Sequence, residues 1–124
     1  MNDPDINLPK DPLSGLTIEE LGQKFRNRLL SCKEVTSAYY DRIRILNPHL
    51  HAYIFVDEEK GLDWADGIDK LFACGVDLGP LMGVPIAIKD ICSVDGMPTT
   101  NGSNIISDDT VSYTHLTLPT IVGV

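Results

Sequence analysis

The sequence has 124 residues, of which 43% are hydrophobic, and its 18 acidic and 10 basic residues give a formal net charge of −8. This length allows at most one domain with a modest core, and the hydrophobic content is typical of a globular rather than a disordered chain. Because nucleic-acid binding requires clustered Lys and Arg, the acidic balance argues against a nucleic-acid partner.

The cysteine pattern and the chain start bear on the cellular compartment. Cys32, Cys74 and Cys92 are odd in number and contain no CxxC pair, which predicts free thiols in a reducing compartment and no metal site. The N-terminal MNDPDINLPKDP has neither a basic nor an apolar region typical of a signal peptide. No apolar stretch approaches the roughly 20 residues that a membrane-spanning helix needs. We therefore expect a cytoplasmic protein without a membrane partner.

The first half of the chain predicts two helices. Residues 1–15 carry three prolines and no periodicity, so we expect a tail or an extended lead-in. Thr17 and Glu20 form a capping-box pattern ahead of an amphipathic helix over residues 16–30. Its predicted inward side chains recur at helical spacing: Ile18, Leu21, Phe25 and Leu29.

A second predicted helix begins at Ser31 and ends at Asn47, because the residue before Pro48 is pushed out of the helical region. Together with the first it predicts a helical hairpin. Its predicted inward face consists of Val35, Ala38, Tyr39, Ile43 and Leu46.

The middle of the chain predicts a strand and a third helix. HAYIFV, residues 51–56, has the length and the β-branched and aromatic content of a strand. Asp57 or its neighbours start a helix that closes near Gly75, with Leu62, Ala65, Ile68 and Phe72 inward. The order helix, helix, strand, helix, strand predicts an α/β layered fold.

The last predicted strand runs into a lysine. Pro85 is tolerated only at the start or edge of a strand, and alternation then places Ala87 and Lys89 on one face. The small Ala87 leaves space beside the lysine. From this pattern alone, Lys89 either reaches from the strand end into solvent or extends into that space.

The stretch GPLMGVPIAIKD, followed by DGMPTTNGS, resembles the opening motif of the amidase signature family. Members of that family read GPLHGVP, a short apolar strand ending in Lys-Asp, and a G-x-P-T-T-x-G-S loop. The resemblance extends over about residues 16–108. It implies an α/β fold, of which this chain would be the N-terminal part: the helical hairpin and the first strands of a mixed sheet flanked by helices.

The resemblance also implies a chemistry. Family members hydrolyse amides with a serine nucleophile, a bridging serine in a cis peptide bond, and a lysine that falls on Lys89. A serine hydroxyl needs a base to take its proton, and a lysine serves only when neutral. Because burial favours the neutral amine, the apolar strand is expected to desolvate Lys89. The implied substrate is a small-molecule amide, and no cofactor is implied.

The same resemblance implies that residues around Lys89 support the lysine site. Asp90 is expected to anchor the following loop through backbone N–H groups rather than to pair with Lys89. Ser103 is interpreted as a supporting hydroxyl and not as the nucleophile. The loop that resembles the family's loop beside the lysine contains Thr99, Thr100, Gly102 and Ser103.

Two residues depart from the family pattern and weaken a subfamily assignment. Met82 stands where histidine is commonest, and Cys92 lies near a position where asparagine is frequent. A thiol nucleophile at Cys92 is a minor alternative.

The family's two serines and its glycine-rich oxyanion loop lie further downstream than this sequence extends. We therefore interpret residues 16–110 as the N-terminal portion of an amidase domain and predict no activity for this chain alone. Residues 111–124, VSYTHLTLPTIVGV, do not resemble the family's continuation. They are interpreted as a foreign or disordered tail, with a native edge strand as the alternative.

Three functional interpretations follow, of which a general amidase is favoured. The glutaminase subunit of a tRNA-dependent amidotransferase is the alternative within the family. That branch usually has Cys-Ala-Ser after the Thr-Thr pair, whereas this chain has Asn101, Gly102 and Ser103. A non-catalytic helical interaction module is the alternative outside it. A homodimer of the full-length protein is a further hypothesis.

Overall fold

Three helices are followed by two short parallel strands in the computed structural model, which describes residues 7–8, 10–92, 98, 100 and 121–123. The predicted α/β class is confirmed, and the most extensive contact between helices joins the second and the third. No helix in this part of the chain is long and apolar enough to cross a bilayer. The elements are α1 (Ile18–Arg26), α2 (Cys32–Leu50), α3 (Glu58–Ala73), β1 (Ile86–Ile88) and β2 (Ile121–Gly123).

Helix α1 begins at the predicted capping box. The Thr17 hydroxyl accepts from the backbone N–H of Glu20 at 3.1 Å, and the Glu20 carboxylate accepts from the backbone N–H of Thr17 at 2.7 Å. Leu21 and Phe25 are buried as predicted, whereas Ile18 is 52% exposed. Fewer side chains of α1 therefore face the core than the sequence predicted.

Helix α1 ends four residues earlier than predicted. Arg28 adopts a left-handed conformation with φ of 58°. Its N–H bonds the carbonyl of Phe25 at 3.2 Å, while the N–H of Leu29 bonds the carbonyl of Lys24 at 2.9 Å. This is the Schellman arrangement, formed here around an arginine instead of the usual glycine. Leu29, which we predicted to face inward, consequently lies beyond the helix and is 67% exposed.

The start of α2 is capped from two directions. Ser31 and Glu34 form a second capping box, with Ser31 at the predicted cap position. The Asp69 carboxylate of α3 accepts from the backbone N–H groups of Cys32 at 2.7 Å and Lys33 at 3.0 Å. The free N–H groups at the start of a helix need such acceptors, so this contact ties α2 to α3.

Helix α2 continues through Pro48 to Leu50, which corrects the predicted end at Asn47. His51 then adopts a left-handed conformation, and its N–H bonds the carbonyl of Asn47 at 2.8 Å. The helix loses the one hydrogen bond that a proline cannot donate, but the turn that follows closes the helix normally.

Residues 51–56, predicted as a strand, form an irregular segment in the structure. The side chain of Asn47 accepts from the N–H of Tyr53 at 2.8 Å and donates to the carbonyl of Tyr53 at 3.0 Å. The Asn47 side chain thus satisfies both backbone groups of Tyr53, which a neighbouring strand would otherwise bond.

The buried stripe of α2 is rotated from the predicted one. Cys32, Thr36 and Tyr40, spaced by four residues, are buried beside Val35. The predicted inward residues Ala38, Tyr39, Ile43 and Leu46 are half-buried. The Thr36 hydroxyl is buried and has no hydrogen-bond partner among the described residues.

Helix α3 follows the prediction closely. The Asp57 side chain accepts from the N–H of Lys60 at 3.0 Å, and the chain turns at Gly75 with φ of 78°. Ala65 and Ile68 are buried, while Leu62 is half-buried. The core that the three helices share with the approach to β1 consists of Leu21, Phe25, Cys32, Val35, Ala65, Ile68, Met82 and Val84, with Phe72 packed against it.

The end of the predicted lead-in is attached to the helices. The hydroxyl of Tyr39 donates to Asp11 at 2.7 Å, and the same carboxylate oxygen accepts from the N–H of Leu13 at 2.9 Å. Leu13 packs against the core. Residues 10–15 are therefore part of the helical unit rather than a free tail.

Strands β1 and β2 pair in parallel, with Ile86 opposite Ile121 and Ile88 opposite Gly123. Residues 121–123 belong to the segment that we interpreted as a foreign or disordered tail. Ile121 and Val122 have the β-propensity typical of a strand, and the foreign origin of the segment stays a prediction. The other residues of 111–124 lie outside the described residues.

Candidate active site

A bidentate ion pair holds the segment that leads to β1. Arg26 at the end of α1 donates to Asp77 at 2.7 and 2.9 Å and to the carbonyl of Gly79 at 2.7 Å. Its guanidinium lies 5.5 Å from the ring centre of Phe72. The hydrogen bond from Arg26 holds the pKa of the Asp77 carboxyl well below its usual range. The sequence alone does not indicate this pair, because its members are 51 positions apart.

The residues just before β1 are part of the core. Met82 and Val84 are 2% and 4% exposed. Gly83 has φ of 84° and lies against the Cys32 thiol, where a Cβ atom would overlap the sulfur. A glycine is thus required on both steric and conformational grounds. Met82, the departure from the family's histidine, is a core side chain whose sulfur accepts from the N–H of Leu78 at 3.3 Å.

Lys89 follows β1 directly and is exposed. The burial pattern of the strand confirms the predicted faces: Ile86 and Ile88 are half-buried, whereas Ala87 is exposed on the face it shares with Lys89. The apolar pocket that we expected around Lys89 is not formed by the described residues, which leave the face of Ala87 open. In this part of the chain, the lysine reaches solvent.

Asp90 anchors the loop that follows the lysine, as predicted. One carboxylate oxygen accepts from the backbone N–H of Thr100 at 2.9 Å, and the other accepts from the Thr100 hydroxyl. Both residues are half-buried. The chain turns directly after Lys89, where the N–H of Cys92 bonds the carbonyl of Lys89 at 2.9 Å.

The other predicted site residues are only partly described. Thr99, Gly102 and Ser103 lie outside the described residues. Cys92 is half-buried and carries a free thiol. Among the residues that the structure describes, no group of three His, Cys, Asp or Glu side chains could hold a metal ion.

Two open grooves lie away from Lys89. One, of about 420 Å³, follows the second half of α2, and the other, of about 650 Å³, lies between α1 and residues 77–80. Neither is lined by Lys89 or Asp90. Neither of these two grooves therefore includes the candidate site at the strand end.

Comparison with known proteins identifies the class of this fold and site. A sequence profile described as Amidase matches residues 34–114. The peptide amidase of Stenotrophomonas maltophilia superposes with a TM-score of 0.70 and 28% identity, over 75% of this chain and 20% of that enzyme. Over the superposed part, this chain has the fold of that peptide amidase. This chain belongs to the amidase signature family.

Curated relatives include the A subunit of glutamyl-tRNA(Gln) amidotransferase from two bacteria. The Acidothermus cellulolyticus protein is 44% identical over 90 residues, which cover 73% of this chain and 18% of the relative. The Salinispora tropica protein is 47% identical over 78 residues, which cover 63% of this chain and 16% of the relative. The chain thus spans less than a fifth of the length of these two relatives.

Proposed function

We propose that this chain is the N-terminal portion of an enzyme that hydrolyses carboxylic amide C–N bonds, with Lys89 as the terminal base of a Ser-cisSer-Lys triad. The observation that carries the proposal is the position of Lys89. It stands at the end of β1, on the face of the small Ala87, where Asp90 ties the following loop back through Thr100.

In this reaction the nucleophilic serine attacks the amide carbonyl carbon. Its proton passes through the bridging serine to the neutral amine of Lys89 and is then delivered to the leaving nitrogen as the C–N bond breaks. Water hydrolyses the resulting acyl ester and releases the acid. The two serines would come from parts of the enzyme outside this chain.

The exposure of Lys89 in this chain is consistent with that proposal. A lysine works as a base only after burial has made the neutral amine favourable. The open face of Ala87 offers room for further chain to cover the lysine, and this chain spans 18% of one relative. We propose that the rest of the enzyme supplies this cover together with the serines.

The test is Lys89→Ala in the full-length enzyme that contains this chain. Ammonia release from benzamide and propionamide should fall by roughly 10⁴-fold or more, because members of a catalytic triad act as a unit. Lys70→Ala is the matched control, since Lys70 is an exposed lysine on α3. If Lys89→Ala kept most of the turnover, Lys89 would only be a solvated strand end and the proposed mechanism would fail.

A second candidate is the glutaminase subunit of a tRNA-dependent amidotransferase. The names and the 44% and 47% identities of the two curated relatives favour it, whereas the peptide amidase is 28% identical. The Asn101, Gly102 and Ser103 stretch speaks against it, because that branch usually has Cys-Ala-Ser there. Ammonia released by the full-length enzyme from glutamine, but not from benzamide or propionamide, would favour the glutaminase.

We also propose that the enzyme works in the cytoplasm on a small-molecule amide. All three cysteines are free thiols, which fits a reducing compartment.

A further inference from the structure

The contact between Asp90 and Thr100 joins the residue after the lysine to a position ten residues along the chain. It consists of two hydrogen bonds to one carboxylate, from a backbone N–H at 2.9 Å and from a side-chain hydroxyl. Hydrogen bonds to an ionised carboxylate are stronger than those between neutral groups. The half-burial of both partners protects the pair from competing water.

The placement of this contact relates it to the lysine. Asp90 is the immediate neighbour of Lys89, and the N–H of Cys92 closes the turn onto the carbonyl of Lys89. Three hydrogen bonds therefore hold the backbone on the C-terminal side of the lysine: two from Thr100 to Asp90 and one from Cys92 to Lys89. On the N-terminal side of the lysine, the backbone is held by the pairing of Ile88 with Gly123.

The carboxylate is directed to Thr100 and not to the lysine. No ion pair joins Asp90 to Lys89 in the part of the chain that the structure describes. This matters because a carboxylate paired with the amine would favour the ammonium, which cannot accept a proton. Two hydrogen bonds to the Asp90 carboxylate come instead from Thr100.

We propose that Asp90 is a positioning residue that acts through Thr100: together they fix the backbone and the loop beside Lys89, so that the amine is held where the triad needs it. This inference rests on the proposed function, because it assigns a role relative to Lys89 as the base. Thr100 contributes by its backbone N–H and by its hydroxyl, and only the hydroxyl can be removed by substitution.

The experiment compares variants of the full-length enzyme by kcat and KM for amide hydrolysis. Thr100→Val removes the hydroxyl and keeps the shape, and it should lower kcat with little change in KM. Asp90→Ala removes both bonds and should lower kcat by on the order of 10²-fold, the effect of misplacing a reacting group by about 1 Å. Thr100→Ser restores a hydroxyl and should recover most of the kcat that Thr100→Val loses.

A double-mutant cycle shows whether the two residues act as a pair. Thr100→Val should slow Asp90→Ala by less than it slows the wild type, because both substitutions remove the same hydrogen bond. Thr36→Val is the matched control: it makes the same substitution at a buried hydroxyl of α2 that has no partner among the described residues, so kcat should not change.

The outcomes separate this inference from the proposed function. Suppose that Lys89→Ala is inactive while Asp90→Ala and Thr100→Val keep the wild-type kcat. The positioning role of Asp90 and Thr100 is then overturned, whereas the role of Lys89 as the base stands. If Thr100→Ser is as slow as Thr100→Val, the hydroxyl does not act by hydrogen bonding and the inference also fails. If Asp90→Ala does not fold, Thr100→Val and Thr100→Ser decide by themselves. Full activity of Lys89→Ala would overturn both proposals.

Discussion

The ring of Tyr40 on α2 lies directly against Gly61 on α3, so close that a Cβ atom at residue 61 would overlap the tyrosine hydroxyl. Tyr40 is 1% exposed, and its hydroxyl donates to the carbonyl of Asp57 at 3.1 Å. Burial raises the pKa of Tyr40 to about 12. The glycine is thus what allows the two helices to approach each other.

Gly61→Ala should therefore destabilise the protein, even though alanine is the better helix former. Forcing a methyl group into this contact displaces a buried ring, and such overpacking costs about 1–3 kcal/mol. The measurement is the free energy of unfolding from urea titration. Gly67→Ala on the same helix is the control. Nothing lies within 4 Å of a Cβ atom there, so a gain of about 0.4–1 kcal/mol is expected. Equal changes in the free energy of unfolding for Gly61→Ala and Gly67→Ala would contradict the close contact between Tyr40 and Gly61.

The Arg26–Asp77 pair should make stability depend on acidity. The pKa of Asp77 is lowered in the folded state, chiefly by the hydrogen bond from Arg26. The ion pair therefore adds to the free energy of unfolding above the unfolded pKa of an aspartate, about 3.9. This stabilisation is lost as the pH falls through the lower pKa of Asp77 in the folded state. Asp77→Asn should be less stable than the wild type at pH 7, and the difference should shrink below about pH 4.

Urea titrations between pH 2 and pH 7 measure this dependence. In an Arg26→Gln background, Asp77→Asn should have a smaller effect at pH 7, because the donor that contributes most to lowering the pKa of Asp77 is gone. A pH profile for Asp77→Asn parallel to that of the wild type would show that the pair contributes nothing to the acid dependence.

The thiols of Cys32 and Cys74 should differ in reactivity. Cys32 is 0% exposed, and burial raises the pKa of its thiol, so it should react with Ellman's reagent only as the protein unfolds. Cys74 is exposed and should react at once. Mass spectrometry of labelled peptides, with and without urea, identifies the sites. Labelling of Cys32 in the folded protein at the rate of Cys74 would mean that the core around Gly83 opens readily.

The 124-residue chain by itself should hydrolyse no amide, because the serines of the proposed triad are expected outside it. Ammonia release from benzamide and propionamide should equal that of buffer. Turnover above buffer that Ser103→Ala abolishes would overturn this prediction, together with the supporting role that we gave to Ser103.

The features that sequence predicted well are local. The Thr17 capping box and the Asp57 cap are patterns within four residues, where side chain and backbone must meet. The anchoring role of Asp90 also follows from a local rule, since a carboxylate at a strand end usually bonds nearby N–H groups. The Lys-Asp motif was recognised by its resemblance to the amidase signature family, and not from the propensity or periodicity of the sequence.

The features that sequence missed depend on distant partners or on unusual backbone. Nothing in the sequence marks Arg28 as left-handed, because arginine is rare there. Residues 51–56 have the composition of a strand, but the backbone of Tyr53 is bonded by the side chain of Asn47. The exposure of Lys89 depends on what covers the face of Ala87, which the pattern of one strand cannot specify.

The cap that Asp69 provides for α2 has a consequence for how the chain comes apart. Because the first N–H groups of α2 are bonded by a carboxylate of α3, fraying at Cys32 requires the two helices to separate. We expect residues 31–73 to open as one cooperative unit in hydrogen exchange, and limited proteolysis to spare the start of α2. Asp69→Ala would uncouple them, so that a protease could cut near Cys32 while α3 is still folded.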